Sequence, residues 1–555
     1  MLAASAAALA CCTTALRAEP VARRATVASP VLVAARPHGD PSDRSGGGFL
    51  RATFSPDGDG RRDTALIFVR ARSGHEVFLH VRPESLGGAF DVGARTAHAG
   101  VTVLRWDGRG LDGRGFPDGS FVLKACDAST GLCSESSVLV HLRLLSIYSP
   151  IITAASPGTE IPVVIRSDRA GPYRLDLVPV AHPRADGVGV VQIPRAGTFQ
   201  YPLPADISGG VWLLRLQSGD VIRRVPIVLH DPRVPPDSPP PGTALVVYPY
   251  MTWRAYDPAD ENRDGVEDTW YAHPHHPFVP LRGPYELVRR YPALAGREAD
   301  PLAQRAFARW FDEHQLVAQH VTDIELGRMP LDVLRRYATI VFPGHTEYYE
   351  LATYKRLLAY RDGGGRLYFM SGNSFYGQAK VEPTRIVRLS YRYRTATHSD
   401  FRIAATGFRE CCWPRTVRPR YHLQPGVRAR LPWLLEGTTM TVGDLFGVAA
   451  GEVDTVDPKL SPAGTIVIAE AVVPPFRPTR PILARGWIGS TPFTYEPARV
   501  KPRRVDIAYA ATGRGEVFSW GATGFLQTLS AKDIPKAERD QLDRVALNVW
   551  RHFTR

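Results

Sequence analysis

The chain has 555 residues, too many for one hydrophobic core, and its 44% apolar and 22% charged composition is that of three or four folded domains rather than a disordered chain. The formal net charge of +13 comes almost wholly from arginine, with only seven lysines; the arginines are dispersed, which argues against a nucleic-acid-binding arm. Beyond the first residues no run of about eighteen apolar residues occurs, so no transmembrane helix is expected.

Residues 1–26 begin with a small-residue apolar stretch too short to span a bilayer and read as a signal peptide, with Cys11 in a setting weakly like a lipobox. Residues 27–46 are Pro, Gly, Ser and Arg without periodicity and read as a flexible leader. Over 47–145, short alternating runs such as TALIFVRAR, EVFLHVRPE and VTVLRWDG, split by Gly, Asp and Pro, predict a β-sandwich. Cys126 and Cys133 flank six residues between two strand-like runs, a spacing that suits a hairpin disulfide in an exported chain. Cys411 and Cys412 are adjacent and leave two readings, a vicinal disulfide or buried thiols. Runs such as EIPVVIRS, YRLDLVPV and GVWLLRLQ predict a second sandwich over 146–231. Six prolines between Asp231 and Gly242 then make a stiff linker over 232–242, the sharpest boundary in the sequence.

From 243 to 555 apolar strand-like runs (ALVVYPY, ATIVFPGH, RLYFMSGN) alternate with helical spacing (PLAQRAFARWFDEHQL, LATYKRLLAYRDGGG), which predicts a parallel sheet with crossover helices. A β-rich insertion is expected at about 385–500. Functional loops in such sheets lie beyond the carboxyl ends of the strands. Three segments fall there: Thr252-Trp-Arg-Ala-Tyr-Asp257, His345-Thr-Glu-Tyr-Tyr-Glu350 and Gly372-Asn-Ser-Phe-Tyr-Gly377.

Two resemblances follow from these motifs. Phe54-Ser-Pro-Asp-Gly-Asp-Gly-Arg-Arg-Asp63, with Trp106-Asp-Gly-Arg-Gly and Phe116-Pro-Asp-Gly-Ser-Phe, resembles the Ig-like module of flagellar hook-capping proteins and of many secreted bacterial enzymes, and implies a spacer. The three strand-end segments, with GEVFSWGATGF near the C-terminus, resemble the C-terminal domain of the N,N-dimethylformamidase large subunit. That family implies a flavodoxin-like α/β domain similar to class I glutamine amidotransferases, preceded by two Ig-like sandwiches in this chain. The amidotransferase cysteine position reads Pro343-Gly-His-Thr-Glu here, which excludes cysteine acyl chemistry at that turn.

The formamidase resemblance implies a mononuclear iron held by two tyrosine phenolates and a glutamate, with a small-molecule amide as substrate. Hard oxygen donors suit such a cation, which can polarise a carbonyl and acidify bound water. Carried onto this chain, Tyr256 and Tyr348 match the motif tyrosines, and Glu452 is the glutamate candidate with Glu382 as alternative; His345 and Glu347 stand where a base or supporting partner is expected. The family's Asn and Trp positions are Asp257, Tyr349 and Gly377 here, departures that leave open a member without formamidase activity.

Asp260, Asn262, Asp264 and Asp268 form D-x-N-x-D-G-x-x-D, the head of a calcium loop, with Tyr271 in place of the usual twelfth-position glutamate. Asp57, Asp59 and Asp63 make a shorter acidic loop, readable as a calcium site or an Asx turn. His273, His275 and His276 lie in a proline-interrupted surface loop. The expectation is therefore a secreted metal-dependent hydrolase of amide-like C–N bonds. The alternatives are an extracellular binding protein that keeps the fold and a carbohydrate-active protein.

Overall fold

The computed structural model describes residues 31–37, 51–53 and parts of 64–148, then 152–257 apart from 168, 169 and 220. Beyond these it describes 270, 278–283, 285, 301–390, 399–410, 419–475, 487–488, 491–492, and 502–555 apart from 530, 532 and 533. The signal-peptide segment, Asp57, Asp59, Asp63, the Asp260, Asn262, Asp264 and Asp268 loop, His273, His275, His276, Cys411 and Cys412 lie outside the described residues. The protein is mostly β-sheet, divided among several sheets with few helices, as expected of a β-rich multidomain chain. No helix among the described residues is long and apolar enough to cross a membrane.

The front module pairs Phe90–Thr96, Glu76–Pro83, Phe121–Asp127 and Cys133–Ser136 in one antiparallel sheet. A second sheet contains Val31–Pro37, Ala65–Arg70 and Thr102–Trp106. Cys126 and Cys133 face each other across a hairpin and form the expected disulfide. The second module repeats the plan, with Val188–Ile193, Tyr173–Pro179, Gly210–Ser218 and Val221–Leu229 in one sheet. Its other sheet contains Leu145–Ile147, Glu160–Ser167 and Gly197–Pro202.

The third region is organised by one nine-stranded sheet. Its strands are β1 (Ala244–Tyr248), β2 (Ala318–Thr322), β3 (Thr339–Phe342), β4 (Arg366–Phe369), β5 (Arg420–Leu423), β6 (Leu445–Val448), β7 (Ile466–Val473), β8 (Arg503–Thr512) and β9 (Gly515–Ser519). They lie in the order β2-β1-β3-β4-β9-β8-β7-β5-β6. The first five are mutually parallel and the rest antiparallel. The helices used below are α1 (Tyr250–Tyr256), α2 (Arg305–Glu313), α3 (Asp323–Leu326), α4 (Leu351–Asp362) and α5 (Lys536–Phe553). Alternate residues of β1 enter different apolar clusters: Val246 and Tyr248 belong to one, Leu245 and Val247 to the other. Burial on both faces is why this strand reads as an unbroken apolar run.

Two features differ from the sequence reading. The β-rich segment expected as an insertion supplies β5, β6 and β7, which extend the main sheet. The proline-rich segment is not a free spacer. Asp231 N–H donates to Gln319 Oε1 at 2.9 Å, the Gln319 amide donates to Val234 O, and Tyr337 hydroxyl donates to Pro236 O at 2.7 Å. A chain rich in proline presents carbonyls without matching N–H groups, so most of what a neighbouring surface must supply is donors. The second sandwich is docked as well. Its residues and those of the nine-stranded sheet share one buried cluster running from Leu145 to Phe553.

Candidate functional site

The site is assembled from the loops after β1, β3 and β4, adjacent in the sheet and all at its carboxyl edge. After β1 the chain turns at Pro249 into α1, whose own cap position offers no side-chain acceptor. The acceptor comes from elsewhere: Asp323, at the start of α3, receives the Met251 N–H at 3.1 and 3.2 Å on its two oxygens. Burial pushes Asp323 well above the usual carboxyl range, against the opposing pull of the backbone N–H donors. At the other end of α1, the buried Arg254 guanidinium pairs with Asp257 at 2.7 Å and donates to Pro280 O at 3.0 Å. Helix α1 is thus fixed at both ends, and it carries Tyr256.

The loop after β3 passes through Gly344, where a Cβ would lie 1.9 Å from Gln304 Nε2, so a larger residue would require the Gln304 side chain to move. His345, Thr346 and Glu347 follow, all buried. The Glu347 N–H donates to Thr252 Oγ1 at 3.1 Å, tying this loop to α1. The Tyr256 hydroxyl donates to Glu347 Oε2 at 2.8 Å, and the Tyr256 and His345 rings are 5.8 Å apart.

The loop after β4 is held in an unusual backbone shape. A Cβ at Gly372 would meet Glu452 O at 2.8 Å and Ala522 N at 2.9 Å. The next residue, Asn373, has φ 48, and Phe375 has φ 60. Asparagine tolerates this left-handed region better than most residues, and the buried Asp454 holds it there by accepting the Asn373 N–H at 2.7 Å. The result places Asn373 Nδ2 3.1 Å from His345 Nε2 and within donating reach of Glu452 Oε2. Glu452 Oε2 is 3.0 Å from His345 Nε2, and Glu347 Oε2 is 3.7 Å from the same nitrogen. Glu452 is anchored by its backbone: its N–H donates to Thr523 Oγ1 and its carbonyl accepts the Thr523 N–H, each at 2.9 Å. Burial raises the Glu452 carboxyl, but His345 and the Asn373 amide lower it more, and the net position is below the ordinary range.

The structure therefore brings together Tyr256, His345, Glu347 and Glu452, with the two glutamates in distinct settings. Glu347 faces the Tyr256 phenol, whereas Glu452 faces His345. Tyr348 is fully buried, its ring edge-to-face with Trp270 at 4.5 Å. Glu382, the alternative glutamate, is engaged away from this cluster: it pairs with Lys380 at 3.1 Å and Arg385 at 2.7 Å beside a hairpin turn. Asn373 and Asp454 escaped the sequence reading as site residues. The glycine before Asn373 was the available signal, since Gly-Asn at a strand end marks a left-handed turn. Among the described residues, no group of three or more His, Cys, Asp and Glu side chains is arranged to hold a metal. The Tyr256 and Glu347 oxygens lie 2.8 Å apart and are two hard donors of the kind the motifs imply.

Fold and site together define a β-rich multidomain protein with a partly buried phenol–carboxylate–imidazole cluster at the edge of a parallel strand array. Residues 182–539 match the family described as N,N-dimethylformamidase beta subunit-like, C-terminal, and with more than half of its length matched the chain belongs to that family. No curated protein matches the chain. Similar solved structures include the FN1–FN3 domains of chicken CNTN1, at 11% identity and TM-score 0.13, covering 36% of this chain and 66% of that one. A chimeric titin Z1Z2 tandem matches at 12% identity and TM-score 0.19, covering 36% of this chain and 97% of that one. Scores this low carry no argument about fold or function.

Proposed function

We propose that this protein is an exported, metal-assisted hydrolase of amide-type C–N bonds. The observation that carries the reading is the split of the cluster into two pairs, Tyr256–Glu347 at 2.8 Å and His345–Glu452 at 3.0 Å. Tyr256 and Glu347 supply the oxygen donors for iron, with Tyr348 as the further phenol, so the ligand glutamate is Glu347 rather than Glu452. A hard cation held there supplies polarisation of the amide carbonyl and acidification of water. The chain's own residues do the rest. His345 takes a proton from the attacking water and returns it to the leaving nitrogen; Glu452 orients the ring and stabilises its charged form. Asn373 holds both in register. The low position of the Glu452 carboxyl supports this role, because it stays ionised as His345 gains its proton.

The order β2-β1-β3-β4-β9 of the parallel strands supports a flavodoxin-like reading, in which ligands sit where the order reverses, between β1 and β3. Tyr256 and Glu347 leave those two strands. The Cys126–Cys133 disulfide supports export, and the front module is read as a hook-capping-like spacer.

Elemental analysis with a visible spectrum tests the proposal. Purified protein is expected to contain about one iron and to show a phenolate-to-iron band, both lost in Tyr256→Phe and Glu347→Gln. Glu452→Gln is expected to keep the iron and lose amide hydrolysis by about 10²- to 10⁴-fold, the usual worth of a proton-transfer unit. Iron-free, colourless protein whose hydrolysis is insensitive to Tyr256→Phe would sink the reading.

A further inference from the structure

The single helical turn α3 carries two acidic residues that face different ways. Asp323 is buried and accepts the Met251 N–H of α1. Glu325 turns to the second sandwich: its Oε2 accepts the Ala154 N–H at 2.9 Å, and its Oε1 lies 2.9 Å from His230 Nε2. Thr322 joins the two sides. Its oxygen caps α3 by accepting the Glu325 N–H at 3.2 Å, while its hydroxyl proton goes to Ile152 O, 3.0 Å away in the sandwich. Every polar partner named here on the far side of α3 belongs to residues 152–230, and every one on the near side belongs to the helix that carries Tyr256.

We propose that the second sandwich is a working part of the site: it fixes α3, and α3 caps and places α1, so that Glu325 and Asp323 are positioning residues for Tyr256. The physical basis is the shortness of the pieces. Seven residues do not hold a helix in water, and α1 lacks a side-chain cap of its own, so its placement depends on an acceptor supplied in trans. Four residues of α3 are no more self-sufficient, so that acceptor is only as well placed as the surface against which α3 is held. The second sandwich provides that surface. Only the consequence for rate rests on the amide-hydrolase reading; the mechanical claim concerns the backbone of α1.

Hydrogen exchange on the full chain separates the two. In Glu325→Ala and in His230→Ala, amides of residues 250–256 are expected to exchange about tenfold faster than in the wild type, while those of β3 and β4 keep their rates. Asp323→Asn retains one carbonyl acceptor and is expected to accelerate α1 less than Asp323→Ala. Iron content and the kcat of amide hydrolysis should fall in step with α1 exchange, with KM nearly unchanged. Unaltered α1 exchange in Glu325→Ala and His230→Ala would overturn the proposal. So would an acceleration shared equally by β3 and β4, which would mean that the interface stabilises the whole domain and not α1 in particular. Should Glu325→Ala not fold, His230→Ala alone carries the test, since it removes the imidazole and leaves Glu325 to accept the Ala154 N–H. Accelerated α1 exchange in a protein without iron would uphold the brace and remove the hydrolase reading.

Discussion

The two β-sandwiches of this chain are built to one plan and used in two ways. The front module closes on itself: Ile67, Val77, Leu79, Trp106 and Leu123 form its core, hydrogen bonds from Ser129 and then His75 hold Asp127 well below the carboxylate range, and a disulfide staples one hairpin. Among the described residues none of that core joins the large cluster that runs from Leu145 onward. The second module gives its core away. Leu175, Leu214 and Val225 belong to the same cluster as β1, β3 and α5, and its loops bind α3. A sandwich fold by itself therefore does not say whether a module is a spacer. What decides is whether its apolar faces are satisfied internally or shared.

Substitutions in the two cores test that contrast most directly. Leu214→Ala removes a fully buried side chain from the second sandwich and is expected to cost about 2–5 kcal/mol. Melting followed by the fluorescence of Trp253 on α1 should shift to lower temperature. Leu79→Ala in the front module is expected to cost a similar amount yet leave the Trp253 transition in place. Equal shifts from both would erase the distinction.

Acid should act next in size, and on the shared unit. Glu516 on β9 accepts from Tyr509 at 2.5 Å and contacts His552 at 2.9 Å and Arg366 at 2.8 Å. Burial raises its carboxyl, but these partners, His552 first, bring it down to about 2. A group lowered in the folded state stabilises above its unfolded pKa and loses that contribution as pH falls. The drop from the ordinary value to about 2 is worth about 3 kcal/mol, lost between roughly pH 4.5 and pH 2. Urea titrations of wild type and Glu516→Gln across that window should converge at its acid end. A gap that persists at pH 2 would show that Glu516 acts through packing.

Reduction of the disulfide is the smallest effect. A sequence separation of 7 closes a short loop, worth about 2 kcal/mol in the chain-entropy account. The loss should appear only in the front-module transition, leaving the Trp253 transition untouched.

Much of the third region was legible in sequence because its signals are local. Continuous apolar runs marked the doubly buried strands, and motif residues at their carboxyl ends marked Tyr256, His345 and Glu347. The partition of the two glutamates was not legible. Glu452 lies 107 positions after His345 and meets it only once α4, β4, β5, β6 and their connections are in place, and no periodicity encodes that encounter. Asn373 was hidden for another reason: its importance comes from a left-handed backbone angle stabilised by Asp454, which is a tertiary property of a short polar loop. The docking of the second sandwich through His230 and Glu325, 95 positions apart, was equally invisible, and composition pointed instead to the proline-rich stretch as a divide.

That stretch has a consequence for how such proteins are assembled over time. A gene can exchange a segment without ruining the product only where few contacts cross the joint. Between 231 and 242 the chain is stitched to the strand-bearing unit by Gln319, Arg336 and Tyr337, and a crossover there would leave those donors facing a stranger. An exchange that carried the second sandwich along with the sheet would instead keep whole the buried cluster that begins at Leu145.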